Sequence, residues 1–269
     1  MTNTTEQPRF PTVQGGGSLI LAWQVKNKTV LVVGGGEVAA GRILNVLNAD
    51  ANVVVVCPAS GLNPEVRHRV ENNEVTHIDR VFEPTDLEAL PPSNSPPDMV
   101  LAAVDDPAAS TQIWKLCKEH RIPANIADVP SECDFYFGSV HRDGPLQIMV
   151  STNGKGPRLA ASIRKWIGNQ LPSGVGNAIE RIGELRIKLR NMVPDPEDGP
   201  KRMRWMTKVS DAYSWDDMCA LTDEDMDSLL TFYASGKVPE VNLLKAMRGG
   251  KTPDDLDVFD GSFGFSVVA

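Results

Sequence analysis

The stretch that most constrains this 269-residue chain runs from Thr29 to Val56. Thr29–Val33 is a β-branched run, Gly34-Gly35-Gly36 follows at once, and Glu37–Leu47 carries Val38, Ile43, Leu44 and Leu47 at helical spacing. Asn52–Val56 is a second unbroken β-branched run, the pattern of a strand buried on both faces. A strand, a glycine loop, a helix and a second strand close most readily as two parallel strands joined by a helical crossover. That is the opening unit of a doubly wound sheet.

The alternation continues. Arg67–Arg80 reads as a further helix end and a strand edge at Val75–Ile78, Asp98–Val104 as a buried strand, Pro107–Arg121 as a helix capped by Asp106, and Ile122–Ala127 as a further strand. Up to about residue 130 this is an α/β, Rossmann-like parallel sheet. Beyond it the pattern breaks. Phe135–Phe137 and Leu146–Val150 read as strands joined through a turn at His141–Gly144. Ser151–Arg158 is a polar turn with Pro157 placed to open a helix. Residues 158–170, 175–192, 200–213 and 223–234 read as helices. Residues 1–17 read as a flexible arm and 249–269 as a disordered tail.

Charge is unevenly spread. The chain carries −8 in all, yet residues 151–208 carry +7. An acidic protein with few aromatics is not expected to bind nucleic acid. A basic segment within it can steer an anionic small molecule, or simply form a solvated helix face. No apolar run approaches the roughly 18 residues of a membrane helix. The four cysteines, Cys57, Cys117, Cys133 and Cys219, form no CxxC pair, so a soluble, cytoplasmic protein with reduced thiols is expected.

Gly34 to Ala39 spell G-x-G-x-x-A between strand and helix. Gly34 would permit the tight turn, Gly36 the approach of a pyrophosphate, and Ala39 close helix–strand packing. The carboxylate that normally holds the ribose is missing, because the second strand ends in Cys57-Pro58-Ala59-Ser60. Ser60 or backbone groups remain as ribose contacts, and NAD and NADP are not distinguished.

Asn125-Ile126-Ala127-Asp128 leads into Cys133-Asp134-Phe135-Tyr136-Phe137-Gly138. In an extended segment Asp134 and Tyr136 would share one face and Cys133, Phe135 and Phe137 the other. An aspartate among aromatics is suited to proton transfer, although capping a turn is the commoner use of the residue, and Asp128 has the same two readings. Ser151, Thr152, Asn153, Lys155 and Arg158 gather hydroxyls, an amide and two cations at a helix start, which can bind a carboxylate or cap the helix. The histidines show no metal-ligand spacing, and no resident metal site is expected.

Val30–Val38 (VLVVGGGEV), Asn125–Gly138 (NIADVPSECDFYFG), Leu146–Arg158 (LQIMVSTNGKGPR) and Gly183–Arg186 (GELR) occur in the order seen in one family. From about Ser18 to Leu230 the chain resembles siroheme synthases. Within them it is similar to the fungal bifunctional precorrin-2 dehydrogenase/sirohydrochlorin ferrochelatases. The chain is too short for the methyltransferase domain that some bacterial relatives carry.

The resemblance implies an NAD-binding Rossmann domain over 18–130, a dimerisation and substrate region over 131–170 and a helical domain over 171–248, in an intertwined homodimer. It implies that NAD takes a hydride from precorrin-2 and that Fe²⁺, as a substrate, then enters sirohydrochlorin. The family's catalytic aspartate falls on Asp134. Its NAD contacts fall on the glycine loop with Glu37 and Val38, on Cys57-Pro58, and on Ala102-Ala103-Val104. Asn125, Asp128 and the Ser151–Arg158 turn are the tetrapyrrole-side candidates. No histidine follows His141, so a C-terminal imidazole has no counterpart for the chelatase step. A dehydrogenase without chelatase, and a non-catalytic NAD-responsive module, are the alternatives.

Overall fold

The computed structural model describes residues 13–249; residues 1–12 of the expected arm and 250–269 of the expected tail lie outside them. Two compact units result. One is the chain through Phe137 with Ser151–Gly156, and the other is Gly138–Val150 with the chain from Pro157 onward.

The first unit is built from β1 (Thr29–Val33), α1 (Glu37–Leu47), β2 (Asn52–Val56), α2 (Pro64–Glu71), β3 (Thr76–Ile78), β4 (Met99–Ala102), α3 (Pro107–Glu119) and β5 (Ala124–Ile126). The strands form one parallel sheet in the order β3-β2-β1-β4-β5. Val33 is level with Val56 and Ala102, so β1, β2 and β4 end on one line. Both faces of the sheet are covered. Val30, Val32, Val53, Val55 and Leu101 pack with Ala39 and Ile43, while Leu31, Val33, Val54, Val56 and Val100 pack with Ile113 and Cys117. Two-sided burial is why these strands read as continuous apolar runs, each large aliphatic contributing about 1.5–3 kcal/mol.

The start of helix α2 was not legible in the sequence, which offered only a helix end from Arg67 onward. Only Val66 of its eight residues is buried. It is started instead by Asn63, whose Oδ1 accepts the Val66 N–H at 2.8 Å, and by Pro64 at its first position. Asp106 caps α3 as expected, accepting from Ala108 N at 2.8 Å.

The second unit holds the hairpin β6 (Ser139–Asp143) and β7 (Leu146–Val150), then α4 (Pro157–Gln170), α5 (Val175–Met192), α6 (Gly199–Ala212), α7 (Trp215–Cys219), α8 (Asp223–Thr231) and α9 (Val241–Ala246). The expected strand at Phe135–Phe137 is absent, and His141–Asp143 lie in β6 rather than in a turn. Two residues make the turn, Gly144 at φ +53° and Pro145. A glycine first in a two-residue hairpin turn matches the twist of the paired strands. Leu185, Leu189, Trp205, Val209, Met226, Leu229 and Leu244 form the helical core. Helices α7 and α9 escape a periodicity reading because each is under two turns long.

An ion pair between exposed Arg248 and buried Asp225 ties the end of the helical unit to its core. Asp225 is 2% exposed and accepts Nε and Nη2 of Arg248 at 2.9 and 2.8 Å. The Arg248 hydrogen bonds hold the Asp225 carboxyl down at about 2, against the opposing effect of burial. A carboxyl held low adds stability above its unfolded value and loses it as pH falls. The difference in urea stability between wild type and Asp225→Asn is therefore expected to be full at pH 5 and to shrink progressively toward pH 2. A difference that stays constant over that range would contradict the pairing.

Candidate active site

Five strand exits and the loops beyond them make one edge of the first unit. In an open α/β sheet a ligand binds outside this edge, where the strand order reverses, here between β1 and β4. The glycine loop leaves β1 at that point. Gly34 has φ +112°, and a Cβ on it would lie 2.1 Å from the Ala103 carbonyl oxygen. Gly35, which the motif leaves open, is also crowded. A Cβ there would meet Leu62, the Gly61 carbonyl and the Cys57 sulfur at 2.8–3.0 Å.

Gly36 is different. A Cβ on it meets nothing within 4 Å, and it stands at the N-cap of α1 without a side-chain cap. The first-turn amides of α1 therefore have no side-chain acceptor, and the space in front of them is open. Free amides at the positive end of a helix dipole are what a pyrophosphate requires, so these residues fit a dinucleotide. Ala39 is fully buried under the helix, as close packing on the sheet demands. Glu37 and Val38 lie exposed in the first turn.

The other cofactor-side residues lie on the same edge. Ala103 donates its N–H to Val33 O at 2.8 Å, so Ala102-Ala103-Val104 runs beside the glycine loop. Cys57 follows β2 and is buried. Burial pushes its thiol up, and the Asp79 carboxylate adds to the effect. Each of three strand exits carries an exposed aspartate: Asp79 after β3, Asp105 after β4 and Asp128, at φ +60°, after β5. Asp79 and Asp105 were not singled out in the sequence, although each directly follows a strand or its exit loop.

Asp134 lies elsewhere in this unit. Its N–H donates to Ala124 O at 2.9 Å and its Oδ2 accepts the Ala124 N–H at 2.9 Å. It is thus docked on the first residue of β5, at the entry end of that strand. From β1 through β4 and β5 to Asp134 is three strand spacings, about 14 Å across the sheet. The other carboxylate oxygen pairs with Lys118. The side chain is 33% exposed, in a depression lined by Trp23, Lys118, Arg121, Ile122, Pro123 and Phe135. Phe135 meets Trp23 and Phe137 edge-on at 5.4 and 5.8 Å. The expected grouping of Phe135 with Phe137 is therefore present, in a bend rather than in a strand.

Asn125 holds this bend in place. It is 3% exposed, and its Nδ2 donates to Phe135 O at 2.6 Å. Its Oδ1 accepts from Arg42 of α1, which also donates to Asn125 O at 3.2 Å and stacks on Phe137. Both ends of the amide are used, so Asn125 acts as an anchor and offers nothing to a ligand in this arrangement. Arg42 is a residue the sequence reading missed. Burial lowers the pKa of its guanidinium.

The 151–158 turn is largely self-satisfied. Ser151 Oγ accepts from Asn153 N at 3.1 Å and Thr152 Oγ1 from Gly156 N at 3.1 Å. Asn153 ties down the arm, accepting from Ser18 Oγ at 2.5 Å and donating to Gly16 O at 2.9 Å. The last residues of the expected flexible arm are thus held. Lys155 and Arg158 are exposed. Among the described residues no three His, Cys, Asp or Glu side chains gather as a metal-binding group.

Three family models cover the chain: an NAD(P)-binding domain at 21–139, the sirohaem biosynthesis protein central domain at 143–170 and its C-terminal domain at 172–239. The siroheme biosynthesis protein of Schizosaccharomyces pombe is 52% identical over 231 residues, 86% of this chain and 85% of that protein. The chain belongs to the siroheme biosynthesis protein family. The siroheme biosynthesis protein of Saccharomyces cerevisiae is 30% identical over 228 residues, 73% of this chain and 83% of that protein. Among solved structures, SirC, a precorrin-2 dehydrogenase, matches with TM-score 0.58 at 19% identity, over 81% of this chain and all of that one. This last likeness concerns the fold, and it agrees with a parallel sheet followed by a helical part. Residues 21–139 of this siroheme-family member are accordingly an NAD(P)-binding domain.

Proposed function

We propose that the chain oxidises precorrin-2 to sirohydrochlorin with NAD and then promotes Fe²⁺ insertion to give siroheme. The observation that carries this is the open, uncapped N-terminus of α1 behind Gly36, in a chain of the siroheme family. Bound there, the nicotinamide supplies a hydride acceptor. Loss of hydride from the macrocycle leaves a proton to be removed, and metal entry displaces two ring N–H protons.

The chain's part is to receive those protons and hold the substrate's many carboxylates. Asp134 is our choice of proton acceptor. Its carboxylate lies in a depression whose walls, Trp23 and Phe135, suit a flat macrocycle, and whose rim carries Lys118 and Arg121. A positioned carboxylate of this kind can serve both reactions in turn. Asp105 and Asp128, on the edge shared with the glycine loop, are the carboxylates nearer the dinucleotide. Lys155, exposed in the same unit, is our choice for a further substrate carboxylate. Iron is substrate here and not a resident group.

Anaerobic assays separate this reading from its rival, a dehydrogenase alone. Sirohydrochlorin and Fe²⁺ are expected to combine faster with the protein than without it. Precorrin-2 oxidation without any acceleration of metal insertion would favour the rival.

We further propose a cytoplasmic homodimer. Leu159, Ile163 and Trp166 are 61%, 39% and 65% exposed on α4 at i, i+4 and i+7 spacing, one apolar stripe. A second copy that covers this stripe would remove it from water. Trp166→Glu is expected to shift the chain to monomers by light scattering. A variant as dimeric as wild type would remove α4 from the interface.

A further inference from the structure

The second strand lacks the ribose carboxylate of a dinucleotide site, and the geometry points to a replacement from the neighbouring strand. We propose that Asp79 binds the adenosine ribose and selects NAD over NADP. This rests on the dinucleotide reading above.

β3 pairs with β2 in parallel register, Val56 opposite Ile78, so residue 79 leaves the sheet beside residue 57. Asp79 Oδ1 accepts the N–H of Ala59 at 2.6 Å. That bond docks the carboxylate on the Cys57-Pro58-Ala59 segment, where the expected carboxylate would otherwise stand. The segment itself lies over the glycine loop, since a Cβ on Gly35 would meet both Cys57 Sγ and the Gly61 carbonyl. His77 Nε2, 2.8 Å from Cys57 O, holds the same two strand ends together.

One carboxylate oxygen is thus fixed on the backbone, while Asp79 stays exposed. The free oxygen can accept from a ribose hydroxyl and would face a 2′-phosphate with like charge. Arg67 is the cation that would favour a 2′-phosphate. Its Nη2 donates to the Ala59 carbonyl at 3.2 Å and the Leu62 carbonyl at 3.5 Å, so it serves to close the loop.

The test is calorimetric titration of the full chain with NAD and with NADP, at one ionic strength, for wild type and Asp79→Asn. Asparagine keeps an acceptor for Ala59 N, and thermal melting checks that the variant is folded. Asp79→Ala, melted alongside, serves as a second variant lacking both charge and acceptor. Wild type is expected to prefer NAD by about thirtyfold or more. In both variants that preference is expected to fall by about tenfold or more, mainly through tighter NADP binding. A folded variant with an unchanged ratio, or a wild type that binds both equally, would overturn the assignment. If wild type binds neither, the dinucleotide reading itself fails and this one with it.

Discussion

Gly36→Asp is expected to abolish NAD binding while leaving the fold intact. The position has φ −75° and ψ −169°, ordinary backbone for an aspartate at a helix N-cap, and a Cβ there meets nothing within 4 Å. The new carboxylate would cap the first-turn amides of α1, which relative to glycine stabilises a helix by roughly a few tenths of a kcal/mol. It would then occupy the pyrophosphate's place with like charge, and affinity should fall about a hundredfold or more. Gly34→Ala is its counterpart. A Cβ 2.1 Å from Ala103 O, at φ +112°, should cost about 2–5 kcal/mol of stability. Melting and NAD titration together distinguish the two. Unchanged NAD affinity in Gly36→Asp would show that the dinucleotide does not lie on this helix.

Asp134→Asn is expected to lower the rate of precorrin-2 oxidation about a hundredfold or more, with NAD affinity unchanged. The amide oxygen can still accept from Ala124 N, so the bend at 134–137 should survive. Only the proton acceptor and the Lys118 pairing are removed. Iron insertion should fall with oxidation if one carboxylate serves both steps. Asp105→Asn is the necessary comparison, because Asp105 stands on the glycine-loop edge and Asp134 does not. A near-normal rate in Asp134→Asn with a collapse in Asp105→Asn would transfer the role to Asp105.

The sheet was legible because its strands are buried on both faces and its glycine loop has a steric reason at each end. Val30–Val33 and Asn52–Val56 could pack in few other ways. The loop's middle residue, Gly35, was not legible, since its crowding comes from Leu62 and Gly61 across the β2 exit. The first strand of the hairpin was displaced by about four residues for a similar reason, while the second, Leu146–Val150, stands as expected. Phe135–Phe137 has the composition of a strand, yet the Phe135 carbonyl is taken by buried Asn125 and Asp134 docks on β5. Long-range side-chain bonds of this kind leave no periodicity to read. Asp79 was missed because the ribose carboxylate was sought along the chain, at the end of β2, and not across the sheet.

The account turns on hydride transfer from a tetrapyrrole to a nicotinamide held at the α1 N-terminus. The direct measurement is an anaerobic incubation of purified protein with precorrin-2 and NAD, following NADH and sirohydrochlorin together. Equimolar formation of the two is expected with wild type, and neither with Gly36→Asp. Sirohydrochlorin forming only at the rate seen without protein, with no NADH, would contradict it.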